Sequence, residues 1–198
     1  MLRRWNFHAW FCHIPGLKVV IPSTPYDAKG LLKTAIRDEN PVLFFEGKML
    51  YGLTGPVPEE EYLIPFGQAD IKREGKDATV IATSSMVYVV MDAAEELSKQ
   101  GIEIEVIDPR TLVPLDADTL CDSAAKTGHV VIVDEGHRRF GVAAELASVI
   151  AERSFDYLEA PIKRLGLWDV PIPFTPALEY PIIPGKEDVI DAVLETIA

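Results

Sequence analysis

The chain has 198 residues, 48% of them apolar, and sets 31 acidic against 19 basic side chains for a net charge of −12. That is enough for one ordinary globular core with a smaller lobe packed on it. The acidity disfavours nucleic acid and anionic lipid, which recruit clustered Lys and Arg, and favours a basic protein partner. No apolar run approaches the roughly 20 residues that span a bilayer, and the opening residues lead into no signal-peptide apolar region. Cys12 and Cys121 form neither a CxxC pair nor a disulfide framework. A soluble protein of a reducing compartment, the cytoplasm by default, is expected, with no membrane association.

The first readable unit is the β-branched strand Leu17-Lys18-Val19-Val20-Ile21, stopped by Pro22. Thr24 then reads as a helix N-cap, with Pro25 in the first helical position and Asp27 as the acid of a capping box. Ala28, Leu31, Leu32, Ala35 and Ile36 fall at the spacing of one buried helix face, and Asp38-Glu39-Asn40-Pro41 ends the helix. Val42-Leu43-Phe44-Phe45 suits a buried strand. This strand, helix, strand unit is the tail of a parallel sheet, expected to leave one edge unpaired and an apolar face exposed.

Between Glu46 and Phe66 the pattern dissolves into glycines, prolines and the acidic run Glu59-Glu60-Glu61, as in a solvated interdomain linker. The boundaries read as a remnant domain at 1–47, a linker at 48–66 and a second domain at 67–198. The second domain alternates strands at 79–82, 104–107, 130–133 and 162–167 with helices through Val87 to Leu97, Leu120 to Ala124, Val142 to Ile150 and Val189 to Ile197. Gly101 and Gly128 close the first two helices, Asp116 caps the second, Lys126 sits against its dipole, and Gly141 opens the third. The fold class is α/β: an open, mainly parallel sheet with helices on both faces, preceded by a remnant of a second α/β domain.

Ligands of such sheets gather at the carboxyl ends of the strands. Those ends nominate Ser84, Ser85, Asp108, Arg110, Asp134, Glu135, His137, Arg138 and Arg139. Ser85, His137 and Asp108 have the residue types of a hydrolytic triad, but no G-x-S-x-G elbow accompanies them, and capping with loop salt bridges accounts for them better. The run 135–141 places cations and two glycines before a helix, a backbone-amide anion site in principle, yet it matches neither a dinucleotide fingerprint nor a Walker loop. A surface or subunit-contact loop is the preferred reading. His8, Cys12 and His13 lack the i, i+3 or i+4 spacing of helical metal ligands, and aromatic packing is expected there. At Ala35 to Pro41 the helix carbonyls without intrahelical partners could curl round a monovalent cation, although an ordinary helix end explains the same residues.

The runs His13-Ile14-Pro15-Gly16-Leu17-Lys18-Val19-Val20, Asp27-Ala28-Lys29-Gly30-Leu31 and Ala35-Ile36-Arg37-Asp38-Glu39-Asn40-Pro41-Val42 resemble the beta subunit of thiamine-diphosphate-dependent 2-oxoacid dehydrogenases, the pyruvate, branched-chain and acetoin enzymes. The likeness continues through 64–67, 105–111, 156–164 and Pro171-Ile172-Pro173-Phe174, and fails only over the first eight or so residues. It implies the C-terminal part of such a subunit, with a transketolase-type C-terminal domain. It further implies an alpha subunit as partner, docking of the dihydrolipoyl acyltransferase, self-association with a second beta subunit, and thiamine diphosphate bound between subunits.

The family's catalytic glutamate belongs to a segment this sequence does not contain, and its active-site histidine falls at Arg3. His8 does not take that role. No catalytic or cofactor-binding residue is therefore assigned. The family's potassium segment falls on Ala35, Ile36, Asp38 and Asn40, the one metal assignment. Pyruvate, acetoin and branched-chain acids stay open as substrates, and a non-catalytic interaction module binding the alpha subunit or the acyltransferase is the alternative.

Overall fold

The computed structural model describes residues 7–198. Its elements are α1 (His8–Cys12), β1 (Lys18–Val20), α2 (Pro25–Arg37), β2 (Val42–Phe44), β3 (Asp70–Arg73), β4 (Ala78–Ala82), α3 (Met86–Ser98), β5 (Ile104–Asp108), β6 (Thr111–Val113), α4 (Ala117–Thr127), β7 (Val130–His137), α5 (Val142–Ser154), β8 (Lys163–Leu167), α6 (Pro176–Glu179) and α7 (Lys186–Ile197).

The larger sheet has the order β3-β5-β4-β7-β8, with β5, β4, β7 and β8 parallel and β3 antiparallel at the edge. Its central strands are apolar on both faces because each face carries helices. Val80, Ala82, Val106, Val131 and Val133 meet α3 and α7, whereas Ile81, Ile107, Val130 and Ile132 meet α4 and α5. The expected α/β class holds. The edge strand β3, in the polar stretch 70–73, has no apolar alternation and was not foreseen; it forms because β5 offers it backbone partners.

The helix starts follow local chemistry. Thr24 accepts Asp27 N–H at 3.1 Å, Asp116 accepts Thr119 N–H at 3.2 Å, and α4 stops at Gly128, whose φ of +70° suits a residue without Cβ. Lys126 lies in the last turn of α4 as expected, and its ammonium also bonds the buried Glu105 carboxylate, which demands a partner. Two local expectations fail. Ser85 occupies the cap position of α3 without a side-chain cap bond. On α2 only Leu31 of the predicted stripe is buried, while Leu32 and Ile36 are 43% and 75% exposed.

The first lobe does not end in an open edge on both sides. β1 pairs in parallel with β2 and, on its other side, antiparallel with β6 of the following domain. The stretch between the sheets is also held to α2. Ile64 is buried with Val20 and Leu31, Tyr62 stacks on Tyr26 with ring centres 4.5 Å apart, and the Lys29 ammonium bonds the carbonyls of Pro58 and Glu60. A Cβ at Gly30 would lie 2.6 Å from the Ile64 side chain and 2.8 Å from the Tyr62 ring, so a larger residue there would push this docked segment away. Replacing Ile64 with Ala should cost about 2–5 kcal/mol in urea unfolding and speed proteolysis of residues 53–61; an unchanged midpoint with unchanged cleavage would refute this docking.

Candidate functional site

Strands β4, β5 and β7 run parallel, so their carboxyl ends open on one rim of the sheet, and each ends in polar residues: Thr83 and Ser84, Asp108, and Asp134. In an open α/β sheet this rim would face a ligand. Here the first lobe fills it.

Asp108 is fully buried. It accepts the Ser23 hydroxyl and the Arg110 backbone N–H, the latter at 2.9 Å, while Tyr88 OH donates to Ser23 O at 3.1 Å. Arg110, held at a φ of +57°, turns its guanidinium back onto Asp27 Oδ1 at 3.1 Å and onto the Gln68 and Ala69 carbonyls. Lys72 reaches Asp27 at 2.9 Å, Asp70 at 2.6 Å and Asp108 at 3.8 Å. Three carboxylates thus share two cations across the lobe junction.

Burial pushes the Asp108 carboxyl up to about 6, because neither Lys72 nor the Ser23 and Arg110 hydrogen bonds offset it. Asp27 goes the other way. Burial raises it, but hydrogen bonds from Lys72 and Thr24, with Arg110 behind them, hold it below the ordinary range. Burial would lower Lys72, yet the surrounding carboxylates raise it.

A second junction lies at Asp134, which accepts Thr83 Oγ1–H at 2.5 Å and Gly136 N–H at 3.0 Å, with His8 Nε2 at 3.4 Å. Burial raises this carboxyl, and His8, Thr83 and Gly136 outweigh burial and lower it. The aromatic packing expected of His8 is present, edge-on to Phe45 at 6.1 Å, but its polar partner is a buried carboxylate far along the chain.

The other nominated residues do not converge. His137 Nε2 lies 3.1 Å from Val170 O, Arg139 pairs with Asp169 at 3.0 Å, and Asp108 is committed to Ser23 and Arg110, so no triad links Ser85, His137 and Asp108. Among the described residues no group of three or more His, Cys, Asp or Glu is placed to hold a metal ion. Arg3 lies outside the described residues. At the end of α2, Ala35 O accepts Asp38 N–H at 3.3 Å, and Asp38 accepts the Lys18 ammonium and both Asn40 N–H groups, at 2.9 and 3.0 Å. Lys18 first, and Asn40 after it, hold the Asp38 carboxyl at about 2.

Sequence reasoning marked Asp108, Arg110 and Asp134 as rim residues and missed Lys72, Asp70, Ser23 and the second duty of Asp27. A capping acid explains Asp27 locally, and Lys72 belongs to the unforeseen edge strand. The rim is built to bind the chain's own first lobe, and its carboxylates do not suit a diphosphate, which needs cations or unengaged amides.

An open sheet whose strand-end rim is closed by a second α/β lobe defines a two-domain α/β protein. The family model "Transketolase, C-terminal domain" matches residues 67–189 and "Transketolase, pyrimidine binding domain" matches residues 5–54. The chain belongs to this transketolase family. It is 47% identical over 192 residues to the acetoin:2,6-dichlorophenolindophenol oxidoreductase subunit beta of Bacillus subtilis, covering 97% of this chain and 56% of that protein. With the pyruvate dehydrogenase E1 component subunit beta of Rickettsia felis it shares 49% over 188 residues (95% and 58% covered), and with the Bacillus subtilis 2-oxoisovalerate dehydrogenase subunit beta 47% over 197 residues (98% and 59%). It therefore spans a little over half the length of these relatives. A solved structure described as a split gene transketolase, inactive beta4 tetramer, superposes with a TM-score of 0.79 at 28% identity, covering 96% of this chain and 60% of that one.

Two outcomes test the junction. Arg110→Met leaves Asp27 short of a buried partner and should cost about 3–5 kcal/mol in urea unfolding. Asp108 has a folded pKa of about 6 against an ordinary 3.8, so its protonated form adds stability that is complete below 3.8 and lost as pH rises through 6. Urea midpoints across that window should fall for the wild type relative to Asp108→Asn, and parallel curves would refute the assignment.

Proposed function

We infer that the chain is beta-subunit material of the decarboxylating component of a 2-oxoacid dehydrogenase, with residues 1–47 in the pyrimidine-binding domain, 48–66 joining and 67–198 forming the transketolase C-terminal domain. The observation that carries this reading is identity of 47–49% running through both lobes to three dehydrogenase or oxidoreductase beta subunits. The activity is oxidative decarboxylation of a 2-oxoacid such as pyruvate, with acyl transfer to a lipoyl group, and it belongs to the assembled enzyme.

Within the assembly this chain supplies structure and contact surfaces. The strand-end rim is occupied by the first lobe and offers carboxylates where thiamine diphosphate would need cations, so the cofactor is held elsewhere in the complex. An alpha subunit is the first partner. The acidic surface suits the basic subunit-binding domain of a dihydrolipoyl acyltransferase. Copies of the chain also associate, as beta chains do in the beta4 structural neighbour. Potassium is the ion for the end of α2. It would take main-chain carbonyls of Ala35, Ile36, Asp38 and Asn40, in a turn that the Asp38 carboxylate shapes by accepting from Lys18 and Asn40. The cytoplasm suits such a chain, and no described helix is long and apolar enough to cross a membrane.

The test is co-expression with the alpha subunit of a close 2-oxoacid dehydrogenase. A tagged alpha subunit should retain the chain through gel filtration, whereas the chain alone with thiamine diphosphate should turn over no 2-oxoacid. Turnover by the chain alone, or no capture, would overturn the reading. Melting in matched potassium and sodium chloride should favour potassium, by about 2–4 °C if binding adds ~1 kcal/mol; identical curves would remove the ion.

A further inference from the structure

Past the sheet, the segments that follow β7 and β8 run side by side. Arg138 N–H donates to Leu167 O at 3.3 Å, His137 Nε2 lies 3.1 Å from Val170 O, and Arg139 pairs with Asp169 at 3.0 Å. Arg164, on β8, donates to Arg138 O at 3.2 Å. Three arginines therefore meet one exposed acid of these segments, Asp169, because Asp134 and Glu135 are buried. Arg138 is exposed, and neither it nor Arg164 forms an ion pair among the described residues. On a chain with a net charge of −12 this is a local cationic patch.

The patch also presents aromatic rings. Trp168 is 62% exposed and Phe140 91% exposed. Phe140 is held at a φ of +53°, in the left-handed region that a bulky side chain enters only at a cost. A ring so exposed gains almost no burial within the chain to offset that strain. Contact with another molecule accounts for a strained residue offered to solvent. Arg and Trp are, besides, the side chains enriched where binding energy concentrates.

We propose that this patch docks an acidic segment of a partner polypeptide, which brings carboxylates to Arg138 and Arg164 and an apolar hollow to Phe140. The shape calls for a macromolecule, since a projecting ring must be received by a hollow and a small molecule has none. The charges call for carboxylates. Guanidinium groups pair with them through two parallel hydrogen bonds, and a basic segment would be repelled here. Nucleic acid recruits cations in long clusters, which two unpaired arginines on a chain of net charge −12 do not supply. A groove of about 920 Å³ between α1 and α5 begins at Phe140, and its walls, among them Trp10, Leu115, Leu146 and Val149, extend the apolar area such a segment covers. Glu145 lines that groove, so the partner's acids lie on the arginine side of Phe140 and its apolar side chains on the other. This partner is opposite in charge to the acyltransferase domain considered above, and the inference stands apart from the subunit reading.

Fluorescence anisotropy with a labelled random copolymer of glutamate and tyrosine, which combines carboxylates with apolar rings, tests this on the full chain at up to about 100 μM. Saturable binding is expected, about tenfold tighter than that of polyglutamate, and Arg138→Glu and Phe140→Gly should each weaken it by about tenfold or more. Phe140→Gly has a second readout. Relief of the left-handed strain should raise the melting temperature of the free chain by about 2–4 °C, where a packing role for the ring would lower it. Far-UV circular dichroism establishes that Arg138→Glu is folded; should it misfold, Arg138→Gln takes its place. Absence of saturable binding, binding no tighter than that of polyglutamate, binding indifferent to both variants, or a lowered melting temperature of Phe140→Gly overturns the proposal. Equal or tighter binding of poly(U) RNA that obeys the same variants also overturns it, by making this a nucleic-acid face. Sedimentation supplies the last outcome: an oligomer that dissociates in both variants hands the face to a second copy and overturns the proposal as well.

Discussion

The structure depends on how the carboxylates at the strand ends of the larger sheet are satisfied. Asp108 and Asp134 are buried where β5 and β7 leave the core, and an ionised carboxylate there is tolerable only with hydrogen bonds and opposite charge. The first lobe brings one partner to each, the Ser23 hydroxyl to Asp108 and the His8 imidazole to Asp134, beside those the second domain supplies itself. Arg110 and Lys72 reach out from the second domain to Asp27 in return, so the exchange runs both ways. The rim that similar sheets offer to small molecules has become an internal contact.

Much of this was legible in the residues, and where it was not the reason is physical. Alternating strands and helices, the caps at Thr24 and Asp116 and the stop at Gly128 are short-range matters of hydrogen bonding and backbone conformation, so a sequence displays them directly. Leu32 and Ile36 carry the helical spacing of a buried face yet remain exposed, because spacing reports which residues share a face and not whether anything covers it. β3 and β6 were invisible for a related reason. Each is short and lacks apolar alternation, and each exists because a neighbour strand supplies backbone partners.

The site divides in the same way. Asp108, Arg110 and Asp134 were found because the topology of parallel sheets says where strand ends meet. Asp27 was recognised only as a capping acid, since the two cations that claim its carboxylate lie far along the chain. His8 packs against an aromatic ring as expected and has a second contact besides. Read among Trp10 and Phe11 it is an aromatic neighbour, and only the folded chain brings Asp134 to it.

The antiparallel ladder between β1 and β6 also bears on how the chain comes to be folded. Val19 pairs with Val113, so the first lobe's sheet borrows a strand synthesised long after its own residues. On a ribosome the amino-terminal lobe must wait, its sheet incomplete, until the turn after β5 has emerged and the larger domain can lend that strand.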